Sequence, residues 1–433
     1  MIGLKGKRLL LLGGSLWKDA IQDYAKNKDI TLIATGNDQS AGIFQIAEER
    51  YDVDSTNEEA MKRLIVDKNI DGVYMGGSET VCSIACKYLN ELGLPCYCTK
   101  EQWDFLENKA NFKALCEKFG LPVAKRYQFT EEGNDSIQID YPVITKPTDG
   151  SGSNGFSVCN NIEELRKGYE NAKKESPSGI VIVEEFVKND SIVVFYTFSN
   201  GQMFFSGLEE KFPVCYEDQG RYVAGAHVFE SSFTQEFRRK FDTKLEEMFR
   251  SIGIQEGPVW IEVFHDGDKY YFNEVGYRYS GSVSIYPVDY FYQINQVEAD
   301  INLALLGKSL IEEKNEYQSL ISDRVKRKEK YCIYSIHVAP GTISKVTGLE
   351  DLLLMDSVVA IPVAKKIGDV VAATGTVGQV FAFVHFVFDT EQELTAMIDC
   401  IHDKFKVLDS NENNLVKRMV DPERMIERLF SQR

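Results

Sequence analysis

Apolar and polar residues alternate along the first hundred positions in blocks that predict buried strands and amphipathic helices. Residues 7–12 begin with two basic residues and continue as an apolar run, which is typical of a strand inside a parallel sheet. The blocks that follow predict strands at 30–35, 52–54 and 71–75 and helices at 17–26, 58–68 and 80–92. Alternating strands and helices predict an open parallel α/β sheet, which binds ligands at the carboxyl ends of its strands.

Past residue 100 the pattern is more varied and predicts two further units. A helical connector at 100–119 comes first. The next blocks predict strands at 180–183, 192–206, 260–263 and 270–275 and helices at 162–174, 235–251 and 295–306. Residues 311–330 are charged and predict a linker before a β-rich segment with a helix at 391–405. We therefore expect an α/β unit followed by α+β units, with boundaries at 1–100, 101–310 and 311–433.

Charge and cysteine content exclude several classes of function. The net charge of −17 would repel nucleic acids and anionic membranes, so neither is an expected partner. The nine cysteines have no repeated spacing, which favours buried thiols over disulfides or zinc ligands. The apolar run after residue 8 is too short for the core of a signal peptide, and no apolar run is long enough to span a bilayer. We expect a cytoplasmic protein.

A glycine-rich segment after a predicted strand indicates phosphate binding. It consists of Gly150, Ser151, Gly152, Ser153, Asn154 and Gly155. Glycines allow positive φ angles, and successive N–H groups in such a turn can hold phosphate oxygens. Lys146, at the end of the preceding strand, would add a positive charge. The order strand, loop, strand predicts a hairpin and excludes both a Walker loop and a Rossmann fingerprint. On its own, such a segment is more often an ordinary turn.

Two acidic residues lie on neighbouring predicted strands. If 266–268 is a three-residue loop, Glu262 is opposite residue 272, and Glu274 lies one diagonal step away on the same face. Cβ atoms so placed are roughly 7–8 Å apart and can share one ion. A two-residue or four-residue loop would place them on opposite faces. Two glutamates without histidine or thiolate fit a hard cation such as Mg²⁺ or Mn²⁺. Two acids exposed on an edge hairpin are the equally simple alternative.

Three other positions carry candidate chemistry. The strand that ends with Glu184, Glu185, Phe186 and Val187 could bind an adenine ring through backbone groups beside an apolar pair, although solvated acids at a strand end explain it equally well. Lys109 is on the connector, where a lysine is usually solvated. Arg278 lies between two glycines, in a segment where backbone and guanidinium could approach an anion together.

The order of these segments resembles the ATP-grasp superfamily, in the branch that contains biotin carboxylase, carbamoyl phosphate synthase and the carboxylate–amine ligases. The last segment of the ordered set is N-E-x-G-x-R-x-x-G at 273–281. Each motif is loose, but the ordered set is specific and covers nearly the full chain. The resemblance implies a preATP-grasp domain at 1–100, an ATP-grasp domain at 101–310 with a lid subdomain at about 121–187, and a smaller C-terminal lobe.

The resemblance also implies roles for individual residues. Lys109 and Lys146 resemble the phosphate-binding lysines, and residues 150–155 resemble the lid loop that closes over the triphosphate of ATP. Glu184 is similar to the acid near the adenine amino group, with backbone bonds to adenine from Glu185 and Val187. The remaining implied roles are magnesium binding by Glu262 and Glu274, steadying of an acyl phosphate by Arg278, and substrate binding by Glu79, Lys211 and His227.

Two departures from the family pattern concern the metal and the ribose. Gly276 stands where many members carry an asparagine that binds the metal, and Asp190-Ser191 stands where members often carry a glutamate that holds the ribose. The implied activity is ATP-dependent joining of a small carboxylate to a small amine, with release of ADP and phosphate, by an enzyme that is commonly a dimer. Carboxylation with bicarbonate and a nucleotide-binding regulator without turnover remain open alternatives.

Overall fold

The computed structural model describes residues 3–129, 138–149, 155–188, 190–219, 221–311 and 329–430, and begins with a parallel α/β unit. Four parallel strands lie in the order β3-β2-β1-β4. The elements are β1 (Arg8–Leu11), α1 (Lys18–Lys28), β2 (Thr31–Thr35), α2 (Gly42–Ile46), β3 (Glu49–Tyr51), α3 (Glu58–Asp67), β4 (Gly72–Tyr74) and α4 (Glu79–Leu92). The predicted parallel α/β fold of this unit is confirmed.

Glycines let the carboxyl ends of the neighbouring strands β1 and β4 approach each other. Gly76 follows β4 with a φ angle of 75°. A Cβ atom at Gly76 would lie 2.7 Å from the Cα atom of Gly13, which follows β1. A side chain at Gly76 would therefore both strain the backbone and collide with the neighbouring turn. The close approach positions α4, whose first residue is Glu79, at this end of the sheet.

The connector is two helices rather than the single helical segment expected. Helix α5 (Lys100–Glu107) ends where α6 (Lys109–Lys118) begins, with Asn108 between them in an extended conformation. The Asn108 side chain accepts hydrogen bonds from the backbone N–H groups of Ala110 and Asn111 at 3.0 and 3.1 Å. An asparagine cap of this kind stabilises a new helix start, so the chain turns here and Lys109 begins the second helix.

A small antiparallel sheet follows in the order β6-β5-β7, packed against one helix. Its elements are β5 (Val143–Pro147), β6 (Ser157–Cys159), α7 (Ile162–Glu175) and β7 (Val181–Glu185). Strands β5 and β6 pair antiparallel, so the predicted hairpin is confirmed. Gly155 has a φ angle of 71°, as its predicted place in a turn requires. The other predicted phosphate-binding residues of the loop, Gly150, Ser151, Gly152, Ser153 and Asn154, lie outside the described residues.

The remaining strands form a nine-stranded antiparallel sheet that runs through both the second and the third predicted units. The order is β12-β11-β8-β9-β10-β13-β18-β16, and β20 pairs with β13. Its first part contains β8 (Asp190–Ser199), β9 (Gln202–Tyr216), β10 (Arg221–Phe229), α8 (Thr234–Ser251), β11 (Gly257–His265), β12 (Tyr270–Gly276), α9 (Ile285–Tyr292) and α10 (Gln296–Leu306).

Strand β13 continues the sheet beyond the predicted linker. The C-terminal elements are β13 (Lys330–Val338), β14 (Gly341–Thr342), β15 (Lys345–Thr347), α11 (Leu349–Leu353), β16 (Val358–Ala360), β17 (Val370–Val371), β18 (Val380–Phe388), α12 (Glu391–Lys404), β19 (Lys406–Leu408), β20 (Val416–Lys417) and α13 (Pro422–Phe430). Strands β10 and β13 pair antiparallel, so the expected third unit is joined to the second by backbone hydrogen bonds. Among the described helices, none has the length and apolar character that a membrane span needs.

Candidate active site

A cavity of about 780 Å³ lies where the connector, the small sheet and the large sheet meet the N-terminal unit. Most of the candidate residues from the sequence line it, although they are far apart in the chain. These are Glu79, Lys109, Lys146, Glu184, Glu185, Phe186, Val187, Lys211, Glu262, Glu274 and Arg278. His227 is not among the lining residues. It is buried on β10, with its Nδ1 atom 2.8 Å from Oε1 of Glu209.

Glu262 and Glu274 are directly opposite each other on β11 and β12, and the predicted register was wrong. The innermost pair is His265 with Tyr270, so the loop between the strands has four residues rather than three. A bulge between Glu262 and Val263 then shifts the register by one residue. The shift reverses the effect of the longer loop, so both carboxylates lie on one face, as a shared site requires.

Glu262 is held in its ionised form by three neighbours. Oε1 accepts a hydrogen bond from Ser191 Oγ at 3.0 Å and forms an ion pair with the Lys211 ammonium. Oε2 accepts a hydrogen bond from Asn273 Nδ2 at 2.7 Å. Burial by itself would raise the pKa of Glu262, but the Lys211 ammonium and these hydrogen bonds lower the pKa to about 2. The group therefore carries a full negative charge at neutral pH, as an oxygen ligand of a cation requires.

Glu274 and Lys109 form the second charge pair of the cavity. Lys109 Nζ lies 3.3 Å from Glu274 Oε2, and the two side chains are 16% and 30% exposed. Burial acts to lower the pKa of Lys109, but the Glu274 carboxylate outweighs it and the net shift is upward. The backbone N–H of Lys109 donates to the Thr148 carbonyl at 3.3 Å, which ties the start of α6 to the end of β5.

Glu184 lies between two lysines, one of which the sequence analysis missed. Lys146 Nζ is 2.6 Å from Glu184 Oε1, and the buried Lys113 ammonium is paired with Oε2. Burial and the neighbouring Lys146 ammonium lower the pKa of Lys113 to about 8. The spacing of Lys109 and Lys113 was the available signal, because residues four apart lie on one face of a helix. Lys146 Nζ also donates to Asn273 Oδ1 at 2.8 Å, which links the small sheet to the large one.

At the strand end at 184–187, two of the backbone N–H groups already donate to carbonyl groups of the protein. The N–H of Glu185 donates to the Lys125 carbonyl at 2.9 Å, and the N–H of Phe186 donates to the Pro142 carbonyl at 3.0 Å. The resemblance implied a backbone bond from Glu185 to adenine, and the Glu185 N–H could make it only in competition with its internal hydrogen bond. Phe186 itself is 40% exposed and presents an apolar ring to the cavity.

Arg278 closes the cavity on the side of the N-terminal unit. Its Nη2 atom is 2.9 Å from Glu79 Oε2, and its guanidinium lies over the Trp260 ring, 5.3 Å from the centroid. A Cβ atom at Gly276 would lie 2.3 Å from the same indole. The indole therefore fills the space in which the side chain of an asparagine at Gly276 would begin, and this explains the departure from the family pattern.

Glu107 lines the cavity and is a second residue that the sequence analysis missed. It is the last residue of α5, where the helix dipole disfavours a negative charge. Burial and the nearby Glu79 carboxylate raise the pKa of Glu107 to about 7. The sequence holds only a weak signal for Glu107, because an acidic residue at the end of a helix is usually solvated. The position instead places a carboxyl group with a near-neutral pKa beside Arg278 and Lys109.

The donor set of the cavity fits a hard divalent cation. Within the described ranges, no group of three or more His, Cys, Asp and Glu side chains could hold a metal ion. The facing carboxylates of Glu262 and Glu274 supply oxygen ligands, and Mg²⁺ commonly takes one or two carboxylates and fills its other positions with phosphate oxygens and water. Both carboxylates are paired with lysines, so a cation would compete with two ammonium groups for them.

Comparison with known proteins identifies one domain of the chain and several relatives. Residues 139–285 match the model of the ATP-grasp domain. The chain is 26% identical over 196 residues to phosphoribosylamine–glycine ligase of Methanopyrus kandleri, covering 41% of this chain and 43% of the relative. It is 25% identical over 286 residues to formate-dependent phosphoribosylglycinamide formyltransferase of Bacillus subtilis, covering 63% and 71%. In the first of these relatives, the match spans less than half of the length.

Two solved structures share the fold over almost the whole chain. The L-amino acid ligase from Bacillus licheniformis has a TM-score of 0.72 at 18% identity, covering 94% of this chain and all of that one. The biotin carboxylase domain of the 2-oxoglutarate carboxylase from Hydrogenobacter thermophilus, in complex with MgADP and bicarbonate, has a TM-score of 0.76 at 16% identity, covering 95% and 91%. Residues 139–285 of the protein thus form an ATP-grasp domain, and the chain as a whole has the fold of these two solved structures.

Proposed function

We propose that the protein is an ATP-dependent ligase that joins a small carboxylate to a small amine. The observation that carries the proposal is the meeting of Lys109, Lys146, Glu262, Glu274 and Arg278 in one cavity. Two facing carboxylates can bind a divalent cation, and two lysines can bind the triphosphate that accompanies it. Arg278 adds a positive group that can bind the substrate carboxylate. The C–N bond-forming ligases among the similar proteins support the same chemistry.

The proposed reaction has two steps. An oxygen of the substrate carboxylate attacks the γ-phosphorus of ATP, the bond to the β-phosphate oxygen breaks, and ADP leaves. The amine nitrogen then attacks the acyl carbon, inorganic phosphate leaves, and the amine loses a proton. A bound Mg²⁺ would neutralise charge on the phosphates.

The side chains of the cavity have separate proposed roles in these steps. Lys109 and Lys146 would hold the phosphate oxygens, and Glu262 and Glu274 would hold the cation. Phe186 would pack against the adenine ring. Arg278 would orient the carboxylate and the acyl phosphate derived from it, and Glu79, on the other side of this guanidinium, would bind the substrate. Because Lys211 is paired with Glu262, we propose that it acts on the metal ligand as well as on the substrate.

Release of ADP and phosphate from pairs of carboxylates and amines, with Mg²⁺ present, tests this function. We expect turnover that requires both substrates, because the acyl phosphate needs an amine acceptor. Glu274→Gln should lower turnover by at least about 10–100-fold, because even the loss of an outer-shell partner of a metal costs that much. Glu247→Gln, which changes an exposed acid on α8, serves as the matched control and should leave the rate unchanged. Full activity of Glu274→Gln would contradict the metal assignment.

The same assay separates the alternatives. Turnover that depends on bicarbonate and not on an organic acid would favour carboxylation, which the similar biotin carboxylase fold also permits. Binding of ATP without ADP release across the whole panel of acids and amines would favour a regulatory protein. Ligation is preferred because the relatives similar in sequence include a ligase that forms a C–N bond.

A further inference from the structure

The last helix of the described chain reaches back to the strands that support the candidate metal site. Arg428 lies on α13, and its side chain is only 10% exposed. Its Nε atom donates to Glu210 Oε2 at 2.8 Å. Its Nη1 atom donates to the backbone carbonyl of Lys211 at 3.0 Å, and Nη2 donates to the carbonyl of Ser191 at 3.4 Å. One guanidinium therefore bonds to both β8 and β9.

The two carbonyl groups belong to the residues whose side chains hold Glu262. Ser191 Oγ donates to Glu262 Oε1, and Lys211 Nζ is paired with the same oxygen atom. The pairing of Ile192 on β8 with Glu210 on β9 brings the neighbouring residues Ser191 and Lys211 close together, so one guanidinium can bond to both carbonyl groups. A change at Arg428 would thus act on both supports of one carboxylate oxygen at the same time.

The surroundings of Arg428 fix its orientation. Glu210 is 1% exposed, and its other oxygen, Oε1, accepts a hydrogen bond from Ser231 Oγ at 2.9 Å. The guanidinium also lies over the Phe212 ring, 5.0 Å from the centroid. A planar group with fixed donors on three sides keeps its neighbours in place more firmly than a flexible ammonium would. Met425 and Leu429 are buried on the same helix and anchor it.

We propose that Arg428 is a positioning residue through which the C-terminal helix sets the affinity of Glu262 for the divalent cation. The proposal rests on the function proposed above, because it takes Glu262 as a metal ligand. Arg428 does not touch the cation or the substrates. It acts through Ser191 and Lys211, so the C-terminal end of the chain is part of the support of the active site rather than an appendage.

The test measures the Mg²⁺ concentration that gives half of the maximal response, both for ATP-dependent thermal stabilisation and for ADP release. The main variant is Arg428→Met with Glu210→Gln, which removes the guanidinium without leaving a buried unpaired acid. We expect the half-maximal Mg²⁺ concentration to rise about fivefold, somewhat below the effect of removing a direct outer-shell partner. Affinity for ATP in the presence of a chelator should stay unchanged, which a general loss of structure would not allow.

Two single variants complete the design. Arg428→Lys keeps a positive charge for Glu210 but loses the fork that reaches both carbonyls, so we expect a rise of about twofold in the Mg²⁺ requirement. This variant decides the question if the double variant fails to fold. Arg418→Ala is the matched control, because Arg418 is also near the C-terminus but pairs with Asp399 at 2.7 Å on the surface. It should behave like the wild type.

The outcomes separate this proposal from the proposed function. If the wild type responds to Mg²⁺ but Arg428→Lys and the folded double variant need no more Mg²⁺ than the wild type, the proposed role of Arg428 is overturned. The proposed function would then still stand. A wild-type protein that shows no Mg²⁺-dependent response to ATP would overturn the metal assignment, and the role of Arg428 with it. An equal rise in the Arg418→Ala control would also overturn it, because the effect would then not depend on β8 and β9.

Discussion

At the scale of single residues, the candidate site is a set of buried charges that neutralise one another. Glu184 and Lys113 are each 1% exposed, and such burial is costly for a charged group that has no partner of opposite charge. Glu262 depends on Lys211, and Glu274 is paired with Lys109. Two of the paired ammonium groups, those of Lys109 and Lys146, line the cavity where anionic phosphates are proposed to bind. The pairs therefore keep the positive charges in place inside a protein whose net charge is −17.

Replacing Lys113 tests how much this pairing contributes to stability. Lys113→Met leaves the buried Glu184 carboxylate with Lys146 alone, and we expect a loss of about 2–3 kcal/mol in the free energy of unfolding, below the about 3–5 kcal/mol for a fully broken buried pair. Denaturant unfolding measures this change. Lys118→Met, at an exposed position on the same helix, should change the stability by less than about 0.5 kcal/mol. A loss no larger than that of the control would show that Lys146 alone is sufficient.

The raised pKa of Glu107 predicts a pH dependence of stability. Its pKa is about 7 in the folded protein and 4.5 in an unperturbed chain, so the folded state binds the proton more tightly. The cost of ionising it is absent below about pH 4.5, appears between about pH 4.5 and 7, and is complete above pH 7. Glu107→Gln should therefore stabilise the protein by about 3 kcal/mol at pH 8 and have little effect at pH 4.5.

The measurement for Glu107 is chemical unfolding at the two pH values. Glu101→Gln, at an exposed position on the same helix, is the control and should give the same small change at both. A stabilisation by Glu107→Gln that is equal at pH 4.5 and pH 8 would contradict the assignment, because the effect would then not come from ionisation of the carboxyl group.

At the scale of elements, the sequence predicted the kind of element well and the junctions between elements poorly. The parallel sheet and the glycine hairpin follow from local patterns of apolar residues and glycines. The break at Asn108 was missed because the helical pattern on either side is continuous, and only the capping bonds of the asparagine show it. The register of β11 and β12 was wrong because a bulge depends on contacts of Asn273 with other strands, which no local pattern contains.

Asn273 shows why the bulge matters for the site. It is 7% exposed, and its amide joins Lys146 on the small sheet to Glu262 on the large one. Asn273→Ala should weaken ATP binding in the presence of Mg²⁺ about tenfold, because two proposed ligand-binding groups lose a shared support. Calorimetric titration measures the affinity. Asn411→Ala, at an exposed turn near the C-terminus, should have no effect, and an unchanged affinity in Asn273→Ala would show that the bridge is not needed.

At the scale of the whole molecule, one continuous sheet joins the second and third predicted units, which the sequence did not suggest. The charged segment at 311–330 predicted a boundary, and that prediction rested on local composition. The pairing of β10 with β13 joins residues about a hundred positions apart, from Ala226 with Tyr334 to Phe229 with Tyr331. One apolar cluster also combines Phe212 and Val228 with Phe386. Long-range pairing of this kind has no local signature, so the sequence could not reveal it.

Because the sheet is continuous across the predicted boundary, we expect the two fragments to stay associated when the chain is cleaved there. A protease site introduced between Ile311 and Glu329 would leave β10 and β13 on different fragments. Because those strands share backbone hydrogen bonds and an apolar cluster, we expect the two fragments to elute together in size-exclusion chromatography and to unfold in one thermal transition. The uncut protein carrying the same site is the control. Fragments that separate under native conditions, with the N-terminal one still folded, would show instead that the C-terminal lobe is an independent domain.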